Sequence, residues 1–463
     1  MHQPRNLREL RDSGHVHRGV KAEVRHNLLA RLRSGEPRFP GIVGFDDSVL
    51  PHLERALLAG HDLVLLGERG QGKTRLIRTI TGLLDEWTPV VEGCEINDHP
   101  YEPVCASCRR KAAELGEELP VAWRHRDERY GEKLATPDTS VGDLIGDIDP
   151  IKIAEGRTLG DPDTIHFGLV PRTNRGVFSV NELPDLAERI QVALLNVLEE
   201  RDIQVRGYNL RLPLDILLIA SANPEDYTNR GRIITPLKDR FGAEIRTHYP
   251  LTLEDELTLI RQEAVSDIGA DLPQHLVEVI ARFTRLVRES TAIDARSGVS
   301  ARFSIAAAET AMASAVRRGA LAAEDHQVTR VCDLPAMVHT LRGKVEFEVS
   351  EEGRETEILA HLLRRATAET FRQRLGGTDL SALTDRFTEG DHVESGELVP
   401  AAELLRRIGP VTGLAKIMSR LGMGTGDESP GHAAAALEFT LEGLYLMRRL
   451  SKEEVDGVNI YRT

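Results

Sequence analysis

The strongest constraint on this chain is eight residues long. Residues 67–74 read G-E-R-G-Q-G-K-T, which satisfies the G-x-x-x-x-G-K-[ST] pattern of a phosphate-binding loop. That pattern carries chemistry only between a strand and a helix. Asp62 to Leu66 is a short apolar run, and Thr74 to Leu84 has helical spacing, so both flanks are in place. Gly67, Gly70 and Gly72 let successive backbone N–H groups curl around phosphate oxygens. The helix that follows points its positive end at the same charge. Lys73 is placed to reach β- and γ-phosphates and the Thr74 hydroxyl to bind Mg²⁺. Glu68, Arg69, Gln71 and Arg75 complete the nucleotide-binding stretch. ATP and Mg²⁺ are the expected cofactors.

A loop of this kind needs a sheet behind it. Two further apolar runs, Gly176 to Val180 and Asp215 to Ala222, are separated by a helical stretch, Leu186 to Glu199. Apolar runs alternating with helices predict a parallel sheet covered on both faces. Ile203 to Leu212 reads as a hairpin, with Gly207 and Asn209 near its turn. After Pro250 the spacing turns helical, over Leu253 to Ala264, Pro273 to Arg288 and Ser300 to Arg318. From Lys344 onward there are 15 basic and 21 acidic residues, an acidic and mostly helical tail with loops expected at 381–399 and 422–431. The fold expected is therefore an α/β P-loop domain with a parallel sheet, then an α-helical lid and an α-helical C-terminal region.

Composition removes several functions. The 463 residues carry a formal net charge of −14, which disfavours a protein built to grip nucleic acid. Residues 1–40 are the exception, with nine Lys/Arg against four Asp/Glu. Val20 to Leu32 is expected to be a solvated helical arm, ended by Pro37 and Pro40. No stretch of about 18 apolar residues exists, so no membrane span is expected. The first 20 residues lack the apolar core of a signal peptide. Four cysteines make no disulfide scaffold. A soluble, cytoplasmic protein is the expectation.

The second apolar run ends as G-V-F-S-V-N-E at 176–182. A P-loop ATPase needs one acid there for the Mg²⁺ shell and another to polarise the attacking water. Glu182 is placed as the general base. Asn181 stands where an aspartate is expected; it can accept from a metal-bound water but brings no charge, so Asp185 or another acid would have to compensate. The third run ends in Ser221-Ala222-Asn223-Pro224. Asn223 at that tip could hydrogen-bond the water or the γ-phosphate. P-L-K-D-R-F-G at 236–242 offers Arg240, for which spacing alone favours a surface salt bridge.

Taken together, these pieces resemble the AAA+ ATPases of the magnesium-chelatase small-subunit and MoxR branch, over roughly residues 38–345. F-P-G-I-V-G-F at 39–45 resembles the segment that lies against adenine, which implicates Ile42 and Val43. G-L-V-P-R-T-N-R-G-V-F-S-V-N-E-L-P-D-L at 168–186 resembles the chelatase segment running into the Walker B strand, and G-V-S-A-R-F at 298–303 the start of the lid helix. The resemblance implies that Lys73 and Thr74 are the Walker A pair and Glu182 the Walker B glutamate. It makes Asn223 sensor 1, Arg240 the arginine finger acting on a neighbour, and Arg302 the sensor 2 arginine. It places a helix-2 insert at 144–167 and a pre-sensor 1 hairpin at 203–212. It makes 38–250 the nucleotide-binding domain and 251–345 the lid; the basic arm (1–37) and the acidic helical region (346–463) are read from composition, and the latter has no counterpart in the family. The resemblance also implies a homo-oligomeric ring, commonly a hexamer, and a partner carrying a von Willebrand factor A domain. Two readings follow: a motor that hydrolyses ATP to remodel its partner, or, because of Asn181, a switch that binds ATP and assembles without turning over. A transcriptional role is a weaker third reading, since the G-A-F-T-G-A loop of sigma-54 activators is absent.

Cys94, Cys105 and Cys108 lie in C-E-I-N-D-H-P-Y-E-P-V-C-A-S-C. The C-x-x-C pair suits zinc, with Cys94 third and His99 or His125 fourth. The irregular spacing favours the alternative, a reduced loop without a ligand. Cys332 stands alone and is expected to be a small buried residue.

Overall fold

The computed structural model describes residues 3–149, 151, 154, 164–199, 203–205, 208–210, 212–224, 232–294, 298–385, 387, 392–424, 429–455 and 457–462. The chain forms two compact units, Met1–His248 and Tyr249–Thr463.

In chain order the first unit contains β1 (Leu63–Leu66), β2 (Trp87–Val91), β3 (Val121–His125), β4 (Tyr130–Leu134), β5 (Gly146–Ile148) and β6 (Ile165–Phe167). Then come β7 (Gly176–Asn181), β8 (Ile203–Val205), β9 (Tyr208–Leu210), β10 (Ile216–Ala222) and β11 (Ala243–Arg246). Five of them build a parallel sheet in the order β11-β1-β10-β7-β4. Every residue of β1, β7 and β10 is buried, which is why these strands read as apolar runs rather than alternations. Their side chains still alternate between faces. Leu63, Leu65, Val177, Leu217 and Ile219 join the core beneath helix Val49–Ala59. Val64, Leu66, Phe178, Val180, Leu218 and Ala220 join a second core against helix Glu188–Glu199.

Helix Val20–Ser34 is not a solvated arm. Val20, Val24 and Leu28, four residues apart, make an apolar stripe buried in the first of these cores. The Val20 N–H donates to Asp215 Oδ2 at 2.8 Å. Within the same helix Glu23 accepts two hydrogen bonds at 2.7 Å from the buried Arg129 guanidinium. The helix is thus part of the first unit, tied to it by burial and by a paired charge.

The 203–212 hairpin is present as β8 and β9, with Ile203 opposite Leu210; Gly207 lies outside the described residues. The 144–167 insert is framed by the antiparallel pair β5 and β6, and residues 150, 152–153 and 155–163 within it are likewise outside. One feature has no counterpart in the sequence reading: β2 and β3 pair antiparallel, Trp87 opposite His125, and the cysteine segment is the excursion between them.

The second unit carries helices Leu253–Glu263, Gln274–Glu289, Ala301–Ala322, Glu355–Leu375 and Pro430–Leu446. One core runs through them all, from Leu257 through Phe283, Phe303 and Leu363 to Phe439. This unit is not purely helical. β12 (Val393–Gly396), β13 (Ser451–Val455) and β14 (Val458–Arg462) form an antiparallel sheet in the order β12-β14-β13. β12 falls in the 381–399 stretch expected as loop. Its sequence, V-E-S-G, holds a single aliphatic residue, so periodicity is silent and only the pairing with distant β14 makes it a strand.

Candidate nucleotide site

The strand register brings the functional residues to one edge of the parallel sheet. Leu66 pairs with Ala222, Ala220 with Val180, and Asn181 with Leu134. The carboxyl ends of β1, β10, β7 and β4 are therefore level, and the loop after β1 leaves from between its neighbours. This is where open α/β sheets bind ligands.

Gly70 and Gly72 take left-handed φ values of 74° and 77°, which a side chain would strain. Gly67 is needed for a different reason. A Cβ there would lie 2.0 Å from Thr247 Oγ1 and 2.3 Å from Gln71 Oε1. Those two atoms are themselves bonded, Thr247 Oγ1 donating to Gln71 at 2.8 Å, and the Thr247 N–H donates to Leu66 O at 2.8 Å. The end of β11 thus clamps the loop. Lys73 begins helix Lys73–Thr79 and folds back over the loop. Its Nζ donates to the Gly67 carbonyl, to the Glu68 carbonyl at 2.8 Å and to Asn223 Oδ1 at 2.8 Å. Lys73 and Asn223, 150 residues apart, thus meet over the loop. Arg69 and Arg75 are exposed, while Thr74 is half-buried at the second position of the helix.

At the end of β7, Asn181 is buried and Glu182 is half-buried. Glu182 has φ 55°, an uncommon value for a residue with a side chain and one that collects at functional turns. Its N–H donates to Ser221 Oγ at 3.4 Å. Asn181 Oδ1 accepts from Ser221 Oγ at 3.3 Å and from Ser179 Oγ at 3.4 Å. Its Nδ2 donates to Glu132 Oε1 at 2.6 Å. The carboxylate beside Asn181 is thus Glu132, from the neighbouring strand β4. Glu132 Oε2 is fixed in turn by Arg78 Nε at 3.0 Å, Arg78 Nη2 at 2.9 Å and Tyr130 Oη at 2.9 Å. Burial, with the Glu132 hydrogen bond behind it, pushes the Tyr130 phenol up to about 12, and the same carboxylate raises Arg78. Both therefore stay protonated donors at neutral pH. Glu132 stands in no motif, and Ser221, although it lies in the strand-tip stretch 221–224, carried no role from sequence; the register delivers both to the site.

Arg240 ends the short helix Thr235–Arg240 and is exposed, its Nη2 2.5 Å from Glu199 Oε1. The salt bridge that spacing favoured is present, and it holds the guanidinium at the surface. Ile42 packs on the core below helix Val49–Ala59, and Val43 is half-buried beside it. Arg302 is exposed on the first turn of Ala301–Ala322, in the second unit.

Three of the four cysteines gather in the segment between β2 and β3. Sulfur atoms of Cys94, Cys105 and Cys108 and one carboxylate oxygen of Asp98 all lie within 4.8 Å of one another. His99 and His125, the fourth ligands considered from sequence, go elsewhere. His99 stacks on His17 at 3.9 Å and His125 pairs with Asp127 at 3.1 Å. Burial lowers His99 to about 2, so it is neutral. The signal for Asp98 was its place four residues after Cys94.

Several known proteins are similar to this chain. The "Sigma-54 interaction domain" family matches residues 158–240, the stretch that includes β7 and β10. The magnesium-chelatase subunit ChlI of Guillardia theta is 31% identical over 195 residues, 40% of this chain and 50% of that protein. The magnesium-chelatase 38 kDa subunit of Rhodobacter capsulatus is 28% identical over 242 residues, 50% of this chain and 61% of its own length. Over these stretches the chain is similar to the magnesium-chelatase small subunits, and its parallel sheet and P-loop have the α/β fold of the AAA+ ATPases. It spans half to three-fifths of the length of these curated relatives. A solved structure of the complex between subunits BchI and BchD of magnesium chelatase aligns with 70% of this chain and 98% of its own, at 21% identity and a TM-score of 0.37. In this chain the five-stranded sheet, the P-loop and the acid-bearing strand occupy one unit. Among the described residues no helix is long and apolar enough to cross a membrane.

Proposed function

We propose that this protein hydrolyses ATP at the carboxyl edge of its parallel sheet and couples the cycle to a partner protein. The observation that carries the reading is the meeting of Lys73, Asn223, Glu182 and the Asn181–Glu132 pair at one edge, from four different strand ends. Gly67 to Thr74, with Arg75, would hold the nucleotide, and Ile42 and Val43 would lie against its base. Thr74, Asn181 and Glu132 would hold Mg²⁺, which supplies charge neutralisation for the phosphates. Glu182 polarises the attacking water as general base, and Asn223 positions it.

Glu132 bears on the choice between motor and switch. Asn181 lacks a carboxylate, but one stands 2.6 Å from its amide. The charge is displaced by one strand rather than lost, which favours turnover. Arg240, exposed at its end of the unit, would act on a neighbouring copy in a ring, as the finger residue. A ring and a von Willebrand factor A-type partner are the assembly this reading carries, and Arg302 is its sensor 2 arginine.

The test is steady-state ATP hydrolysis against protein concentration, for the native chain, Glu182→Gln and Arg240→Ala. Native turnover is expected to rise with concentration, and both variants to lose about 10²–10⁴-fold while still binding ATP. Equal inertness of all three with ATP still bound would replace the motor by the switch.

A further inference from the structure

We infer that Cys94, Asp98, Cys105 and Cys108 form a closed structural site for one zinc ion. Irregular spacing argued against zinc; the fold removes that objection. Cys94 sits in the turn leaving β2, its N–H donating to Val91 O at 3.1 Å. Four residues on, the chain turns back, the Val91 N–H donating to Asp98 O at 2.9 Å, which sets Asp98 beside Cys94. Cys105 then caps helix Ala106–Leu115, and Cys108 faces inward from its first turn. Four ligand atoms converge within 4.8 Å. A tetrahedral shell with Zn–S near 2.3 Å spaces thiolates about 3.8 Å apart, so closure requires a contraction of about 1 Å at most. A polynuclear cluster would need the thiolates further apart than they are.

The environment of Asp98 points to a ligand. Asp98 is 1% exposed, and its Oδ1 has no hydrogen-bond partner among the described residues. Its other oxygen is satisfied twice, by the N–H groups of Val104 at 3.0 Å and Cys105 at 2.9 Å. A buried carboxylate oxygen left bare beside three thiols is costly unless a cation meets it. Within the cluster two sulfurs accept backbone N–H bonds, Cys94 from Asp98 at 3.3 Å and Cys105, as the helix cap, from Cys108 at 3.2 Å. Such outer contacts orient thiolate ligands and stabilise their charge. The ion would replace the three thiol protons, which pass to solvent, and would fasten the 92–120 excursion to the end of β2. With four protein ligands no coordination position stays open, so the site is structural rather than catalytic.

The full chain, purified without chelators, is expected to carry about one zinc per chain. Cys105→Ser should lose it, Asp98→Asn should weaken zinc binding at least about tenfold, and Cys332→Ser should keep it. Less than one zinc per two chains, retention by Cys105→Ser, stoichiometric iron instead, or a disulfide among the three cysteines of the native protein would each overturn the site. If Cys105→Ser fails to fold, cobalt exchanged into the native chain decides. Thiolate-to-cobalt charge transfer with a tetrahedral spectrum at one cobalt per chain supports the assignment, and an octahedral spectrum without charge transfer refutes it.

Discussion

At the residue scale, the contact that matters most is the amide of Asn181 against the carboxylate of Glu132. From sequence, Asn181 is a defect, and restoring aspartate is the obvious repair. The geometry predicts the opposite. Asn181→Asp alone would set two carboxylates face to face in place of a hydrogen bond at 2.6 Å, and like charges at that range force one to stay protonated. Turnover is therefore expected to fall or stay flat in Asn181→Asp, and to recover when Glu132→Gln is added. Glu132→Gln by itself should raise the Mg²⁺ concentration for half-maximal turnover about 10–100-fold. Magnesium titrations of the four proteins check this, and a gain from Asn181→Asp alone would refute it. Glu182 needs no such partner from another strand. Its role is readable from the motif, and only its left-handed backbone and its tie to Ser221 come from the fold.

At the scale of elements, the instructive case is helix Val20–Ser34. Its basic composition suggested solvent, because charge counts ignore which face each residue occupies. The apolar stripe at Val20, Val24 and Leu28 is short, and Glu23 interrupts it. Glu23 is nevertheless buried, since Arg129, beside β4, satisfies both of its oxygens; their side chains are 6% and 2% exposed. A buried pair is costly to break from one side. Glu23→Ala is expected to destabilise the first unit by about 3–5 kcal/mol, and Glu23→Leu with Arg129→Met by much less. Urea unfolding of the single and double variants measures the difference. The strands show the complementary case. β1, β7 and β10 were legible because burial on both faces demands apolar residues throughout. β4 and β12 were not, because Y-G-E-K-L and V-E-S-G carry no such demand.

At the scale of the whole molecule, the second unit holds a buried base. His275 on helix Gln274–Glu289 is fully enclosed, its ring 4.7 Å from that of Phe439, and neither nitrogen has a partner among the described residues. Burial, reinforced by Arg374 and His432, lowers it to about 3. The folded state therefore binds this proton less readily than the unfolded chain, whose histidines titrate near 6.5. The stability contributed by neutral His275 is complete above about pH 6.5 and is lost as pH falls toward 3. Acid unfolding of the second unit is expected in that window, and His275→Phe should move its midpoint to lower pH. An unchanged midpoint, followed by far-UV circular dichroism, would show that other groups govern the transition.

The sequence by itself determined the P-loop, the apolar strands and helices around it, and the identity of Lys73, Thr74, Glu182, Asn223 and Arg240 as residues to test. These are local properties: a glycine pattern between a strand and a helix, or a period along one segment, is written in consecutive letters. Tertiary structure alone decided that Glu132 stands beside Asn181, that Ser221 links the Glu182 backbone to Asn181, that Glu23 pairs with Arg129, and that Asp98 rather than a histidine joins the three cysteines. Each joins residues whose spacing means nothing until strands take their register and turns close. Electrostatics depends on distance through space, and the chain sets that distance only once it is folded.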